Sequence, residues 1–287
     1  MTPFLWEALL QAYGAESAEK VADALQSEAP VTIRANLLKT TQQALYEQLS
    51  PRFPSLKKLS SPAALTFGKR EPLFSLPEFK EGLFEVQDEG SQQVAELMAV
   101  APGDQVVDYC SGSGGKTLAF APKMGGKGQI YLHDIRLSAL AQAKKRLRRA
   151  GVQNGQCLPS DHPKWRQLEE KVDWILVDAP CSGSGTLRRN PEMKFFIDSS
   201  LVARLVQEQR SIFDQAIRLL KPGGKLVYAT CSLLPAENGE QLSWFLDRYP
   251  IALERPPLAI LPEIGGPDAF FAAVVVKTAS MLGYSRI

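Results

Sequence analysis

The sequence predicts an α/β chain: a mostly parallel sheet with helices on both faces, preceded by a smaller mixed α/β module. Three observations carry this. Apolar strand-like runs alternate with helical patterns from residue 105 onward, the signature of βαβ units. A glycine-rich turn leaves the first of those strands. Asp108, Asp134, Asp178 and Cys231 all fall at predicted strand ends, where open sheets of this kind bind ligands. The 287 residues allow one large domain or two modest ones, and the change of pattern divides the chain into residues 1–80 and 81–287.

In order along the chain, Phe4 to Leu25 has helical spacing of apolar residues, Val31 to Asn36 is strand-like, and Thr41 to Leu49 reads as a helix. Pro51, Pro54, Lys57, Lys58, Ser60, Ser61 and Pro62 indicate loops around short strands. The run from Gln87 to Val100 is a helix with acidic residues in its first turn. Strands follow at 105–108 and 129–134, then a basic amphipathic helix to Ala150, a strand-like QCLPS, and a strand at 173–180. A long helix leads into KPGGKLVYATCS, a turn and a strand, and the chain closes on a strand at 269–277.

Lys and Arg number 33 against 31 Asp and Glu, a formal +2, so nucleic acid could be held only by a local basic patch. No run approaches ~20 apolar residues, which excludes a membrane-spanning helix, and MTPFLWEALL lacks the basic start of a secretory signal. The four cysteines, Cys110, Cys157, Cys181 and Cys231, form no CxxC pair. This argues against a metal site or a disulfide scaffold and for a reducing cytoplasmic setting. A monomer is the default expectation.

DYCSGSGGKT (108–117) passes from a strand into a helix. Gly112, Gly114 and Gly115 let the backbone turn tightly against a ligand. A phosphate loop needs glycine where Cys110 stands, and the dinucleotide GxGxxG spacing fails as well. Asp134, nineteen residues after Gly115, is placed to accept from ribose hydroxyls. Turn and acid together point to an adenosine-bearing ligand without a pyrophosphate, a description that S-adenosylmethionine meets. Asp161, in the turn SDHP, is a candidate acceptor for the adenine amino group. The plainer alternatives are an unliganded glycine turn and strand-end acids that merely cap helices.

DAPCSGSG (178–185) and YATCSLLPAEN (228–238) each place a cysteine just beyond a strand. A single buried cysteine is usually a small hydrophobe; two at strand exits, each followed by serine, suggest paired thiol chemistry. Carbon 5 of cytosine is a poor nucleophile, but a thiolate added to carbon 6 makes it enamine-like. A neutral acid or a hydrogen-bonding network around Asp178 would drain charge from the ring, and a second thiol can assist release of the first.

These segments, with IRANLLKT (33–40), FEVQDEGSQ (84–92), HD (133–134), SD (160–161) and the full DAPCSGSGTLRRNPEMKF (178–195), resemble the RsmB-like (Nop/Sun) RNA cytosine-5 methyltransferases over residues 31–277. The resemblance implies a Rossmann-like class I methyltransferase sheet behind a small RNA-binding module, with S-adenosylmethionine as cofactor and ribosomal or transfer RNA as partner. It implies Cys231 as nucleophile, Cys181 as the release-assisting thiol, Asp178 hydrogen-bonded to the target base, and Lys116 assisting. Cys110, Ser111, Gly112, Ser113, Gly114, Gly115 and Lys116, with Asp134, Asp161 and Asp178, would hold the cofactor. The sequence departs from the family pattern where Ser111-Gly112-Ser113 replaces Ala-Ala-Pro, where Ala139 stands five residues after Asp134 in place of arginine, and in GGPDAFF before the last strand. Losing the proline loosens the cofactor turn.

For RNA, Arg188, Arg189 and Lys194 beyond the DAPCS loop are candidate phosphate contacts, as are Arg34, Asn36 and Lys39. Lys144, Lys145, Arg146, Arg148 and Arg149 read as a solvated helix face. The target cytosine must be single-stranded or extruded. Two other readings remain at this point. A DNA cytosine-5 methyltransferase would use Cys181 as nucleophile and leave Cys231 without a role, and it lacks the expected Glu-Asn-Val here. A non-catalytic RNA-binding assembly factor would not need both cysteines and Asp178. Ribosomal RNA is the preferred substrate.

Overall fold

A computed structural model describes residues 1–280 as two sheets with a helix thrown across one of them. The chain begins with α1 (Pro3–Gln26), interrupted at Gly14, then β1 (Val31–Ala35), α2 (Gln42–Leu49), β2 (Lys57–Lys58), β3 (Ala64–Phe67), α3 (Pro77–Lys80) and β4 (Phe84–Val86). The strands form an antiparallel sheet in the order β2-β3-β1-β4. Ile33, Ala35, Leu45, Leu49, Leu65 and Phe84 fill its own core. The Thr41 hydroxyl caps α2 by accepting from Ala44 N at 3.1 Å. This sheet runs past residue 80, because β4 pairs with β1 through Arg34 and Glu85.

The second part contains α4 (Glu89–Glu96), β5 (Gln105–Asp108), α5 (Thr117–Phe120), β6 (Gln129–His133), α6 (Leu137–Ala150), β7 (Gly155–Leu158), α7 (Lys164–Gln167) and β8 (Val172–Asp178). It continues with α8 (Ser199–Leu219), β9 (Leu220–Thr230), α9 (Gly239–Arg248), β10 (Ile251–Leu253), β11 (Leu258–Ile260) and β12 (Phe270–Lys277). The sheet order is β10-β12-β9-β8-β5-β6-β7, with β11 also on β12. Neighbours from β7 to β9 are parallel, whereas β12 joins β9, β10 and β11 antiparallel. The sequence shows the parallel part and the last strand; β10, β11 and α9, short or weakly marked, are additions.

Period-two alternation builds both faces of this sheet. Val106, Leu176, Val227 and Val274 point into one core with Leu118, Leu140 and Leu147 from α5 and α6. Val107, Val177, Tyr228 and Val275 point into the other with Phe213, Leu242 and Phe245 from α8 and α9. With helices on both faces, the carboxyl ends of the strands are the accessible edge.

Helix α1 does not pack in the core of the front sheet. Its Leu5, Leu9, Val21 and Leu25 join Leu187, Ile197, Val202, Leu233 and Leu234, and the Tyr13 hydroxyl donates to Leu233 O at 2.6 Å. No helix among the described residues is long and apolar enough to cross a membrane.

Candidate active site

The turn after β5 is shaped by Gly112 and Gly114 at φ of 52° and 79°, a region that disfavours side chains. It borders a cavity of about 680 Å³ lined by Cys110, Ser111, Gly112, Ser113, Gly115, Lys116, Asp134 and Asp178, and further by Asp108, Ile135 and Glu208. Gly114 is turned away, against Leu132 and Ala143. Asp161 is exposed on its turn and does not line the cavity.

Asp134 is 5% exposed and accepts from Gly112 N at 2.8 Å and from Arg136 N and Nε at 2.8 and 3.0 Å. Burial opposes its charge, but these donors outweigh burial and hold its carboxyl below the ordinary value. Asp108, fully buried, accepts from the Thr117 hydroxyl at 2.5 Å, and burial pushes its pKa up to about 7. Oδ1 of Asp108 and Oγ of Ser111 are buried without a partner among the described residues, while Ile135 beside Asp134 is 77% exposed. Buried polar atoms are normally satisfied. A wall with two such atoms, a carboxylate at a strand end and an exposed aliphatic side chain fits a ligand with an apolar ring and several polar groups. The sequence pointed to Asp108 only as a strand end and had not pointed to Ile135 or Glu208; Ile135 follows the strand-end Asp134 directly, whereas Glu208 sits within α8 with no local signal.

At the end of β8, Asp178 Oδ2 receives Lys116 Nζ at 2.6 Å. Burial disfavours the Lys116 ammonium, but Asp178 more than compensates and its pKa is raised. Cys181 Sγ and Cys231 Sγ, from the ends of adjacent β8 and β9, lie 3.4 Å apart. Their shared hydrogen bond lowers the Cys231 thiol pKa and raises that of Cys181, where burial adds to the rise. Gly185 makes the approach of the two loops possible. Its N donates to Cys231 O at 2.9 Å, and a Cβ there would sit 2.8 Å from that oxygen and 2.5 Å from Ala269 Cβ.

The candidate RNA contacts require correction. The Arg188 side chain is 0% exposed: Nε meets Asp268 Oδ1 at 2.6 Å, and Nη1 and Nη2 donate to Glu263 O and Gly266 O at 3.0 and 2.7 Å. Arg189 pairs with Asp268 and, at 3.0 Å, with Asp88. Arg34 is buried and donates to Gln87 and to Gly115 O at 3.0 Å. Asn36 Nδ2 binds Gly82 O and Ala150 O, both at 2.8 Å, and Lys39 Nζ binds Glu81 O and Arg149 O at 2.6 and 2.7 Å. These groups join the front sheet to the second part of the chain or brace loops within it; Arg188 and Arg189 have their charge paired, Arg34 is buried, and Lys39 remains exposed with its ammonium on backbone carbonyls. On α6, Arg146 and Arg149 bind Glu85 at 2.9 and 2.5 Å, so only Lys144, Lys145 and Arg148 remain an exposed face.

Comparison with known proteins agrees with this architecture. A family model described as 16S rRNA methyltransferase RsmB/F matches residues 95–274, and one described as the RsmF/B-like ferredoxin-like domain matches residues 2–69. The chain is 36% identical over 243 residues to ribosomal RNA small subunit methyltransferase B of Cronobacter sakazakii, covering 80% of this chain and 53% of that protein. It is 32% identical to the probable enzyme of that name from Synechocystis, covering 96% and 66%. The chain thus spans roughly half to two thirds of these relatives. A methyltransferase homolog from Pyrococcus horikoshii superposes with a TM-score of 0.84 at 28% identity, covering 96% of this chain and 95% of that one. With its strand order, its cavity at the strand ends and a family match across most of the second sheet, the chain belongs to the RsmB/F family of methyltransferases.

Proposed function

We propose that the protein is an S-adenosylmethionine-dependent RNA (cytosine-5)-methyltransferase acting on small-subunit ribosomal RNA through a covalent cysteine adduct. The observation that carries this reading is the pair of thiols 3.4 Å apart at adjacent strand ends, one with a lowered and one with a raised pKa. The names of the curated relatives support ribosomal RNA over transfer RNA.

The cavity residues fit S-adenosylmethionine: Asp134 would take the ribose hydroxyls, Ile135 one face of the adenine, and the turn 110–116 with Asp178 the remainder. When bound, this cofactor supplies an electrophilic methyl group on a sulfonium. Cys231, the more readily ionised thiol, adds to carbon 6 of the cytosine and raises the electron density at carbon 5. Asp178 and Lys116 hold a hydrogen bond and a proton at the ring edge, stabilising the charge that the addition creates. Once Cys231 is bonded to carbon, its sulfur no longer carries the charge that kept Cys181 protonated. After methyl transfer Cys181 gives its own proton to solvent and, as a thiolate, takes the proton from carbon 5, and the electron pair of that C–H bond expels Cys231 as a thiolate.

The Cys181→Ala enzyme is expected to accumulate a denaturant-resistant protein–RNA complex that needs both S-adenosylmethionine and Cys231. Trapping by Cys231→Ala alone, or by the double variant, would overturn the assignment of the two roles.

A further inference from the structure

Beneath the two thiols lies a polar cluster that the mechanism above does not use. Glu237, 0% exposed, follows β9 in the LLPAEN segment. Its Oε1 accepts from Ser182 N at 2.9 Å and from Gln209 Nε2 at 3.0 Å. Its Oε2 accepts from Ser182 Oγ at 2.6 Å and from Ser232 Oγ at 2.5 Å. Ser182 and Ser232 are the residues that immediately follow Cys181 and Cys231. Tyr228 OH donates to the Glu237 carbonyl at 2.8 Å. Two donors on each oxygen is the pattern of an ionised carboxylate, and all four donors are neutral. Such a charge, buried and without a cation among these partners, is costly unless every lone pair is used.

We propose that Glu237 is the positioning residue that fixes which of the two thiols is the nucleophile, by tying both cysteine loops to one buried carboxylate. The geometry gives it two levers. It holds Ser182 and Ser232 on one oxygen, which sets the separation of the sulfurs. It also places a negative charge on the Cys181 side of the pair, and that charge adds to the forces keeping Cys181 protonated. The groups that act on Cys231 are different: Cys181, Asp178, Lys116 and Thr186. Two chemically identical side chains are thereby given unlike surroundings. The inference rests on the two-thiol reading of the active site, but its first readout needs neither RNA nor cofactor.

That readout is the pH dependence of alkylation by iodoacetamide, resolved by mass spectrometry for each cysteine in the full chain. Alkylation follows the thiolate fraction, and one pKa unit is worth about tenfold. In the wild type, Cys231 should react well before Cys181. Glu237→Gln keeps the size but turns an amide toward groups that donate. It should shrink the ratio of Cys231 to Cys181 reactivity by about tenfold or more and lower kcat for methylation, with the KM for RNA unchanged. Glu237→Asp should restore part of the ratio. Should Glu237→Gln fail to fold, Ser182→Ala with Ser232→Ala removes both hydroxyl ties to Oε2 while leaving the carboxylate and the Ser182 N bond to Oε1, and the ratio should fall again, by less. A folded variant of either kind with the wild-type ratio overturns the proposal. Failure of Cys181→Ala to trap RNA would instead overturn the proposed reaction and leave the alkylation result standing.

Discussion

The edge that carries the thiols and the seam that joins the two sheets are both polar, but they use polarity in opposite ways. At the thiol edge, two neutral serines and a glutamine converge on the Glu237 carboxylate, a tyrosine holds the same residue's backbone carbonyl, and the reactive sulfurs face each other. At the seam, Arg34, Arg146 and Arg149 spend their charge on Glu85, Gln87 and backbone carbonyls. Neutral hydrogen bonds fix the two loops and leave the Glu237 charge free to act on Cys181, whereas ion pairs with partly buried members fix the domains and leave little charge for a ligand. A cluster of arginines is therefore a poor guide to the RNA path here, and a quiet run of serines is a good guide to the chemistry.

The largest expected effect is at the thiol edge. Cys231→Ala should reduce methylation to background in an assay of labelled methyl transfer, while circular dichroism remains that of the wild type. In the wild type the rate should fall as pH drops through the Cys231 pKa, because the thiolate is the active form. The midpoint of that acid limb should lie below the free-thiol value of about 8.5. A midpoint above it would remove the asymmetry between the two cysteines.

The next effect concerns a cation that resembles an RNA contact and is buried. Arg188→Ala leaves Asp268, itself 1% exposed, with Arg189 as its remaining cation and leaves Glu263 O and Gly266 O without their donor, and should cost about 2–3 kcal/mol in denaturant unfolding. Were Arg188 a phosphate contact, its loss would lower the salt slope of RNA binding by about one unit; the expected slope is that of the wild type. Smaller still is Asp134→Ala, which should weaken S-adenosylmethionine by about 1–3 kcal/mol in calorimetry and, because Gly112 N and Arg136 lose their acceptor, lower stability by about 1 kcal/mol in the absence of ligand. The smallest is Lys144→Ala with Lys145→Ala on the exposed face of α6, within about 0.5 kcal/mol in stability. A loss of RNA affinity in this pair would make α6 part of the RNA path and break the contrast drawn above.

How much of this was legible in the sequence depended on distance along the chain. Strand ends were legible because apolar runs stop at Asp108, Asp134 and Asp178, and the paired PCS and TCS segments stood out because their residue types are rare together. The role of Arg188 was not, since its partner Asp268 lies 80 residues away, and a charge in a sequence does not announce whether its counterion is in solvent or in the core. Arg34 shows the same: it sits in IRANLLKT, but the atom it binds is a carbonyl of the glycine turn. Glu237 was in view within LLPAEN, yet nothing local marks it, because its four donors come from three separate segments.

Helix α1 adds a consequence for how the molecule is made. Its contacts are with residues 187–269, and the Tyr13–Leu233 hydrogen bond closes a separation of 220 residues. Closing so long a loop carries an entropic cost that must be met before the contact contributes anything, so contacts of this kind form late. On that order the apolar face of α1 would stay uncovered until β8, α8 and β9 have assembled their ends. The last surface to close is the one beneath Leu233 and Leu234, just after Cys231. Docking of α1 would then act as a completion step, tightening the nucleophile's loop only in chains whose large sheet is already whole.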